Sequence, residues 1–395
     1  MIEINKNFTY LSDNYLFRNI ALKVERFKEN NPNNKIIKMG IGDVTQPITE
    51  NIIKSLHKAV DDMSKKETFK GYGNEQGYDF LRESIKKYYQ KRNVNLDIDE
   101  IFISDGAKSD LGNILDIFNN KINVTISDPV YPAYVDANII SGNKINFLKG
   151  DISNNFLPLL DNSCKESLVY ICSPNNPTGA VYDKNSLKKI VDFANKNCCV
   201  IIFDSAYESF IEDKNLPHSI FEIEGAKKCA IEICSFSKNA GFTGIRCGYT
   251  IIPKELEVNN FSLNKLWLRR QSTKFNGVSY ITQIGANEVF SEVSQKEIND
   301  VINYYKRNSK LIFDTLTKLN IKCFGGVNSP YIWFKTPNNE TSWEYFDLLL
   351  EKVGIVGTPG VGFGKNGEGY FRLSAFSSYE DTLLAMNKIK KFYKK

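Results

Sequence analysis

Apolar and polar positions change rhythm three times along the chain. Near the start, Tyr15-Leu16-Phe17 with Ile20, Val24 and Phe27 recur at helical spacing. A short apolar run at 35–39 and the turn Gly40-Ile41-Gly42-Asp43 follow, and after Pro47 helical spacing returns in Ile48, Ile52, Ile53, Leu56 and Val60. From residue 101 the rhythm changes. Runs at 101–104, 123–127, 145–148, 168–172, 199–204, 230–236 and 247–252 read as strands. Helical patterns lie between several of them, notably at 111–118, 134–140 and 187–194. This alternation predicts an α/β fold with a mostly parallel seven-stranded sheet covered on both faces. Beyond about residue 290 a long polar helix pattern (293–319) precedes strand candidates at 321–324, 331–335 and 371–375. A last helix carries Leu383, Met386, Ile389 and Phe392. The expected organisation is an N-terminal arm and part of a small domain at 1–46, a large domain at 47–290 and a smaller α+β domain at 291–395.

Composition narrows the class. Of 395 residues, 42% are hydrophobic and 25% charged, as in ordinary globular proteins, and the net charge of +5 is spread over both halves. No sustained basic run argues for nucleic acid or a membrane surface. The eight cysteines form no C-x-x-C pair and sit mostly in apolar runs, which suits a reducing cytoplasm rather than disulfides or zinc. The first residues have neither signal- nor transit-peptide character. His57 and His218 are isolated, so no metal site is expected.

Ligands of open parallel sheets bind at the carboxyl ends of strands. That rule gathers Gly106-Ala107-Lys108, Asp128-Pro129, Asn175-Asn176-Pro177, Asp204 and Ser235-Phe236-Ser237-Lys238 on one rim. A lysine at the mouth of a buried strand is desolvated and so becomes nucleophilic. Ser235, Ser237, Arg246 and the N–H groups of a helix opening at Gly106 offer donors to a phosphate. An amine beside a phosphate anchor is what pyridoxal phosphate requires; the plainer reading is a strand end with ordinary surface residues. Asp204 ends the apolar run Val200-Ile201-Ile202-Phe203 and either caps the next helix or pairs with a pyridinium N–H. Tyr207 and Asn176 could each reach the ring oxygen. Tyr131 either stacks on the ring or packs in the core. Arg372, inside an apolar strand, belongs either to an internal salt bridge or to a substrate α-carboxylate. The stretch Gly360-Val361-Gly362-Phe363-Gly364 lacks the βαβ unit of a dinucleotide loop and reads as a flexible loop near Arg372.

Taken in order, Asn176, Asp204, Tyr207, Ser235, Lys238, Arg246 and Arg372 resemble the fold-type I pyridoxal-phosphate aminotransferases. The segments Tyr15-Leu16-Phe17, Gly40 through Pro47, Gly71 through Gly77, Asp105 through Asp110, Lys274 through Val278 and Gly325 through Trp333 resemble the LL-diaminopimelate aminotransferase family. The resemblance covers nearly the whole chain. It implies transamination between LL-2,6-diaminopimelate and 2-oxoglutarate, giving tetrahydrodipicolinate and glutamate for lysine biosynthesis. It implies Lys238 as the Schiff-base lysine, with Asp204 and Tyr207 as its catalytic companions. Asn176, Asp204 and Tyr207 would hold the ring, with Tyr131 stacked on it, and Ala107, Lys108, Ser235, Ser237 and Arg246 would hold the phosphate. Tyr72 would reach the phosphate from the partner of a homodimer. Tyr15, Gly42, Lys108, Tyr131, Asn176, Asn276 and Arg372 would contact substrate, Asn276 lying against the cofactor as well, and the partner subunit's Glu75 would lie near its distal end.

Three positions depart from the family pattern: Asn239 stands where threonine is expected, Val361 where a small polar residue is, and Ser279 where proline is. None removes a catalytic group. An aminotransferase of the same fold with another donor is the nearest alternative. A cofactor-binding regulator lacks a DNA-binding domain here, and a purely structural protein leaves the gathered rim unexplained.

Overall fold

The computed structural model describes residues 2–11, 16–40 and 42–393; Tyr15 lies outside them. A short strand β1 (Ile37–Lys38) precedes the main sheet. That sheet contains β2 (Ile101–Ser104), β3 (Asn123–Asp128), β4 (Lys144–Lys149), β5 (Ser167–Cys172), β6 (Val200–Asp204), β7 (Ala230–Ser235) and β8 (Gly248–Ile251), in the order β2-β8-β7-β6-β5-β3-β4. The pairs β3/β4, β3/β5, β5/β6 and β6/β7 are parallel, and β8 runs antiparallel to both neighbours. The chain returns from β7 to β8 through a loop alone, without a crossover helix, and such a return can only be antiparallel. That loop carries Lys238 and Arg246.

Alternate residues of the central strands face opposite cores. Val169, Ile171, Ile201, Phe203 and Ala230 belong to one cluster, while Leu168, Tyr170, Val200, Ile202 and Ile231 belong to the other. Burial on both faces explains why these strands read as unbroken apolar runs.

After a hairpin of β9 (Glu257–Val258) and β10 (Phe261–Ser262), a second, antiparallel sheet forms from β11 (Cys323–Gly325), β12 (Tyr331–Lys335), β14 (Thr358–Pro359) and β15 (Tyr370–Ser374), in the order β11-β12-β15-β14. Strand β13 (Ile355–Val356) pairs in parallel with β1, and Val24, Ile37 and Met39 share a core with Ile332, Phe334, Phe371 and Leu373. The helix Glu292–Lys318 touches both regions: Ile298, Ile302 and Tyr305 lie in the core of the large sheet, Ile312 and Leu316 in that of the small one.

The glycine-rich stretch at 360–364 is not the flexible loop expected. Gly360–Phe363 forms a 3-10 turn with Phe363 buried. A Cβ at Gly360 would meet the Gly367 carbonyl at 2.2 Å, so glycine here permits close backbone packing. Ser279, where proline was expected, caps the helix Tyr280–Glu288, its hydroxyl accepting from Thr282 N–H.

Candidate active site

A cavity of about 810 Å³ opens between the rim of the large sheet and the face of the small one. Gly42, Ala107, Lys108, Tyr131, Asn176, Asp204, Tyr207, Ser235, Ser237, Lys238, Arg246 and Arg372 all line it. Residues up to 330 positions apart in sequence therefore face one space: β3, β5, β6 and β7 end on the same edge, and Gly42 and Arg372 approach that edge from the loop after β1 and from β15.

Lys238 follows β7 directly. Its Nζ donates to the Gly42 carbonyl and lies 5.8 Å from the Phe376 ring centroid. Burial pulls its pKa down to about 8; Asp43 opposes the shift and Arg372 and Arg246 add to it. The amine is thus available in neutral form at mildly alkaline pH.

Asp204 closes β6, and its carboxylate takes a different donor at each oxygen. Its Oδ1 accepts from Ala206 N–H at 3.0 Å, a turn cap, and its Oδ2 accepts from the Tyr134 hydroxyl at 2.5 Å. Burial raises its pKa, and these two donors work against that rise. Among the described residues no cation pairs with this buried carboxylate. Burying a carboxylate is costly without a positive partner, and a protonated ring nitrogen in the cavity would provide one.

Tyr134 was not foreseen. It stands three residues after Tyr131 on the helix Pro132–Ile140, stacks on Tyr170 at 5.2 Å and meets Tyr131 edge-on at 5.8 Å. The Tyr131-x-x-Tyr134 spacing is the signal that could have found it, since residues three apart share a helix face. Tyr131 itself lines the cavity.

The phosphate end fits as well. Arg246, at φ +67°, donates to Ser237 Oγ at 3.4 Å and to the Thr243 carbonyl at 3.3 Å. Gly106 has φ +130°, and a Cβ there would lie 2.4 Å from Arg246 Nη2. Glycine thus leaves room for the guanidinium beside Ala107 and Lys108, and with Ser235 and Ser237 the donor set suits a phosphate dianion.

Arg372 enters from the small sheet. Its Nη1 donates to Asn176 Oδ1 at 2.6 Å and its Nη2 to the Gly40 carbonyl at 2.9 Å. Its guanidinium sits 4.3 Å from the Tyr331 ring centroid and 4.8 Å from that of Phe363. Both aromatic residues lie in stretches noted in the sequence, Phe363 in the glycine-rich run and Tyr331 in the segment 325–333, but neither was given a role.

The profile of the aminotransferase class I and II family matches residues 34–386. The chain belongs to this family. Class I and II aminotransferases are in general pyridoxal-phosphate enzymes, and the donor set just described is compatible with that group. The LL-diaminopimelate aminotransferase of Parabacteroides distasonis is 50% identical to this chain, covering 99% of it and 100% of the relative. That of Lachnospira eligens is 49% identical over the same shares. Among solved structures, L,L-diaminopimelate aminotransferase from Chlamydomonas reinhardtii superposes with a TM-score of 0.94 at 39% identity, covering 99% of both chains. The fold is that of fold-type I aminotransferases.

Three expected residues of this aminotransferase do not line their own cavity. Tyr72 is 91% exposed, and Glu75 and Asn276 lie outside the lining. Asn276, expected against substrate and cofactor, sits on an exposed turn after the helix Leu263–Lys274. A Cβ on neighbouring Gly277 would lie 3.0 Å from the Asn74 carbonyl, so the turn packs beside Glu75 instead. Asn239 turns to a second, polar cavity of about 380 Å³ behind the Lys238 loop. No described helix is long and apolar enough to cross a membrane, and no three metal-ligating side chains cluster among the described residues.

Proposed function

We propose that this aminotransferase moves the α-amino group of LL-diaminopimelate to 2-oxoglutarate with pyridoxal phosphate as its resident cofactor. The observation that carries the reading is the single cavity that Lys238 and Asp204 share with Arg372. The names of relatives at half identity over their full length support the donor.

When bound, pyridoxal phosphate supplies a carbonyl carbon for the substrate amine and a protonated ring nitrogen that accepts the electron pair left by the α-proton. Asp204, held at both oxygens, keeps the proton on that nitrogen. Asn176 and Tyr207 donate toward the ring oxygen, and Tyr131 covers a ring face. Ser235, Ser237, Arg246, Lys108 and the N–H groups at Ala107 hold the phosphate. The Arg372 fork takes the α-carboxylate of donor and acceptor alike. Lys238 Nζ takes the α-proton and returns it, a role suited to an amine that burial has made less basic. The amino group is left by one substrate and collected by the next, so kinetics are ping-pong.

Tyr72 and Asn276 are exposed and Glu75 is half-buried, all outside this cavity, which supports a homodimer in which these side chains complete the neighbouring cavity. There the partner subunit's Glu75 would pair with the distal ammonium of diaminopimelate, which glutamate lacks. Half-reactions with LL- and meso-diaminopimelate, glutamate, aspartate and aromatic amino acids, followed by the visible spectrum, test the donor. Glu75→Gln is expected to cost diaminopimelate on the order of 10-fold or more in kcat/KM, as for one charge-assisted hydrogen bond, and glutamate far less. Equal losses on both substrates would remove Glu75 from donor recognition, and faster turnover of an aromatic or aspartate donor would replace diaminopimelate.

A further inference from the structure

Tyr331 lies at the start of β12, buried, where it joins the two halves of the cavity. Its hydroxyl is 2.8 Å from that of Tyr207, with the rings edge-to-face at 5.1 Å. The same ring lies 4.3 Å from the Arg372 guanidinium. A Cβ at Gly42 would come within 3.4 Å of the Tyr331 hydroxyl, and the Gly42 carbonyl is the acceptor of Lys238. One side chain of the small sheet thus touches the expected carboxylate fork, the expected ring-oxygen donor and the loop that holds the lysine.

Tyr207 has one hydroxyl proton and two neighbours that want it. It cannot donate both to Tyr331 and to an oxygen in the cavity. When an acceptor occupies the cavity, Tyr207 gives its proton there, and Tyr331 must then be the donor to Tyr207. Two hydroxyls in series polarise one another, so the inner donor is strengthened by the outer one. Burial raises both phenols, and the Arg372 guanidinium opposes the rise in each.

We propose that Tyr331 is a positioning residue that turns the Tyr207 proton toward the cofactor's ring oxygen and makes that oxygen sensitive to whether a carboxylate is paired with Arg372. The inference rests on the cofactor reading given above. A carboxylate on Arg372 offsets the positive charge over the Tyr331 ring. Tyr331 becomes a weaker donor, Tyr207 follows, and the ring oxygen holds a proton more readily. Filling the carboxylate site at one end of the cavity therefore changes proton affinity at the other.

The ionisable groups facing this pair are Arg372 from β15, Cys172 from the end of β5 and Tyr131; those facing Lys238 are Asp43, Arg246 and Arg372. Tyr331→Phe removes the hydroxyl and leaves the rest of these groups in place.

The test is a pH titration of the visible absorption band of the holoenzyme, with and without glutarate, a dicarboxylate that lacks an amine and cannot react. In the unaltered protein glutarate should raise the midpoint. In Tyr331→Phe the midpoint without glutarate should already lie higher, by roughly half to one pH unit, as expected for losing cooperative support of one hydrogen bond. The further rise with glutarate should shrink. Tyr207→Phe gives a second measurement that does not depend on altering position 331: there too the glutarate-induced rise should shrink, because the path runs through Tyr207. An unchanged midpoint in Tyr331→Phe, or a full glutarate response in either variant, would overturn the proposal while leaving the cofactor assignment intact. A protein with no visible band after incubation with pyridoxal phosphate would overturn both.

Discussion

Strands β7 and β15 each bury one charged side chain within an apolar run: Glu232 between Ile231 and Ile233, Arg372 between Phe371 and Leu373. Their fates differ. Glu232 accepts from the Tyr89 hydroxyl at 2.8 Å, from Ser205 Oγ at 3.0 Å and from Ser219 Oγ, and it lies outside the cavity. Arg372 opens into the cavity with its fork aimed between Asn176 and Gly40. The chemistry of the two groups explains the contrast. A carboxyl group can escape the cost of burial by keeping its proton, and three hydroxyls then satisfy it. A guanidinium cannot lose its charge in a protein, so it needs an anion, either a carboxylate of the chain, as Arg82 finds in Asp79, or one that enters the site. A buried charge in mid-strand is thus a stronger pointer to function when it is arginine than when it is glutamate.

The largest expected effect lies just past the end of β7. Lys238→Ala should fold, as circular dichroism would record, yet lose turnover by on the order of 10⁴-fold or more, as for removal of a nucleophile and base at once. It should also lose any absorption band that borohydride reduces. A retained, reducible band would take the reactive amine away from β7 and leave the comparison without its catalytic pole.

Next in size is Arg372→Lys. It keeps the charge but replaces a two-pronged fork by a point charge, and a loss on the order of 10²-fold in kcat/KM is expected for amino donor and 2-oxoglutarate alike. The two losses should match because both substrates carry the same α-carboxylate group. Stopped-flow half-reactions measure each separately, and a loss confined to one substrate would mean that the fork serves only that substrate's distal end.

How far the site was legible follows from where its residues sit. Asp204 and Lys238 stand where apolar strands stop, and the rule that parallel sheets bind ligands at their carboxyl edge made them neighbours before any coordinates. Arg372 was legible for a different reason: a permanent charge in an apolar strand demands an explanation. Tyr134 and Tyr331 were not legible. Each looks like one more core aromatic, and only the meeting of hydroxyls across two elements, Tyr134 with Asp204 and Tyr331 with Tyr207, sets them apart. Asn276 came from the resemblance alone. Local sequence places a side chain on a turn, but which cavity the turn faces depends on chain packing beyond that turn. In the fold, the strands of the large sheet were easy to find because burial on both faces leaves continuous apolar runs. The reversed direction of β8 was not, since a strand reads the same either way.

The smallest expected effect is at Glu232, and its sign can be worked out. Burial pushes this carboxyl up to about 7 from an ordinary 4.5, with the hydroxyls of Ser219, Tyr89 and Ser205 opposing the rise. The folded state therefore binds a proton that the unfolded chain releases near 4.5. The stability this confers is fully present below pH 4.5 and is lost as pH rises through about 7, an amount of at most about 3 kcal/mol. Asp110, raised to about 7 mainly by burial and bonded to Thr250, tilts the curve the same way. Thermal unfolding midpoints of the unaltered protein should accordingly fall between about pH 4.5 and pH 7.5. Glu232→Gln keeps the shape and removes the ionisation, so its midpoints should fall less steeply over that interval, while kcat/KM stays within about threefold because the side chain does not face the cavity. Parallel curves for the two proteins would show that Glu232 ionises without penalty. It would then keep its charge in the fold as Arg372 does, and the contrast between the two strands would lose its physical basis.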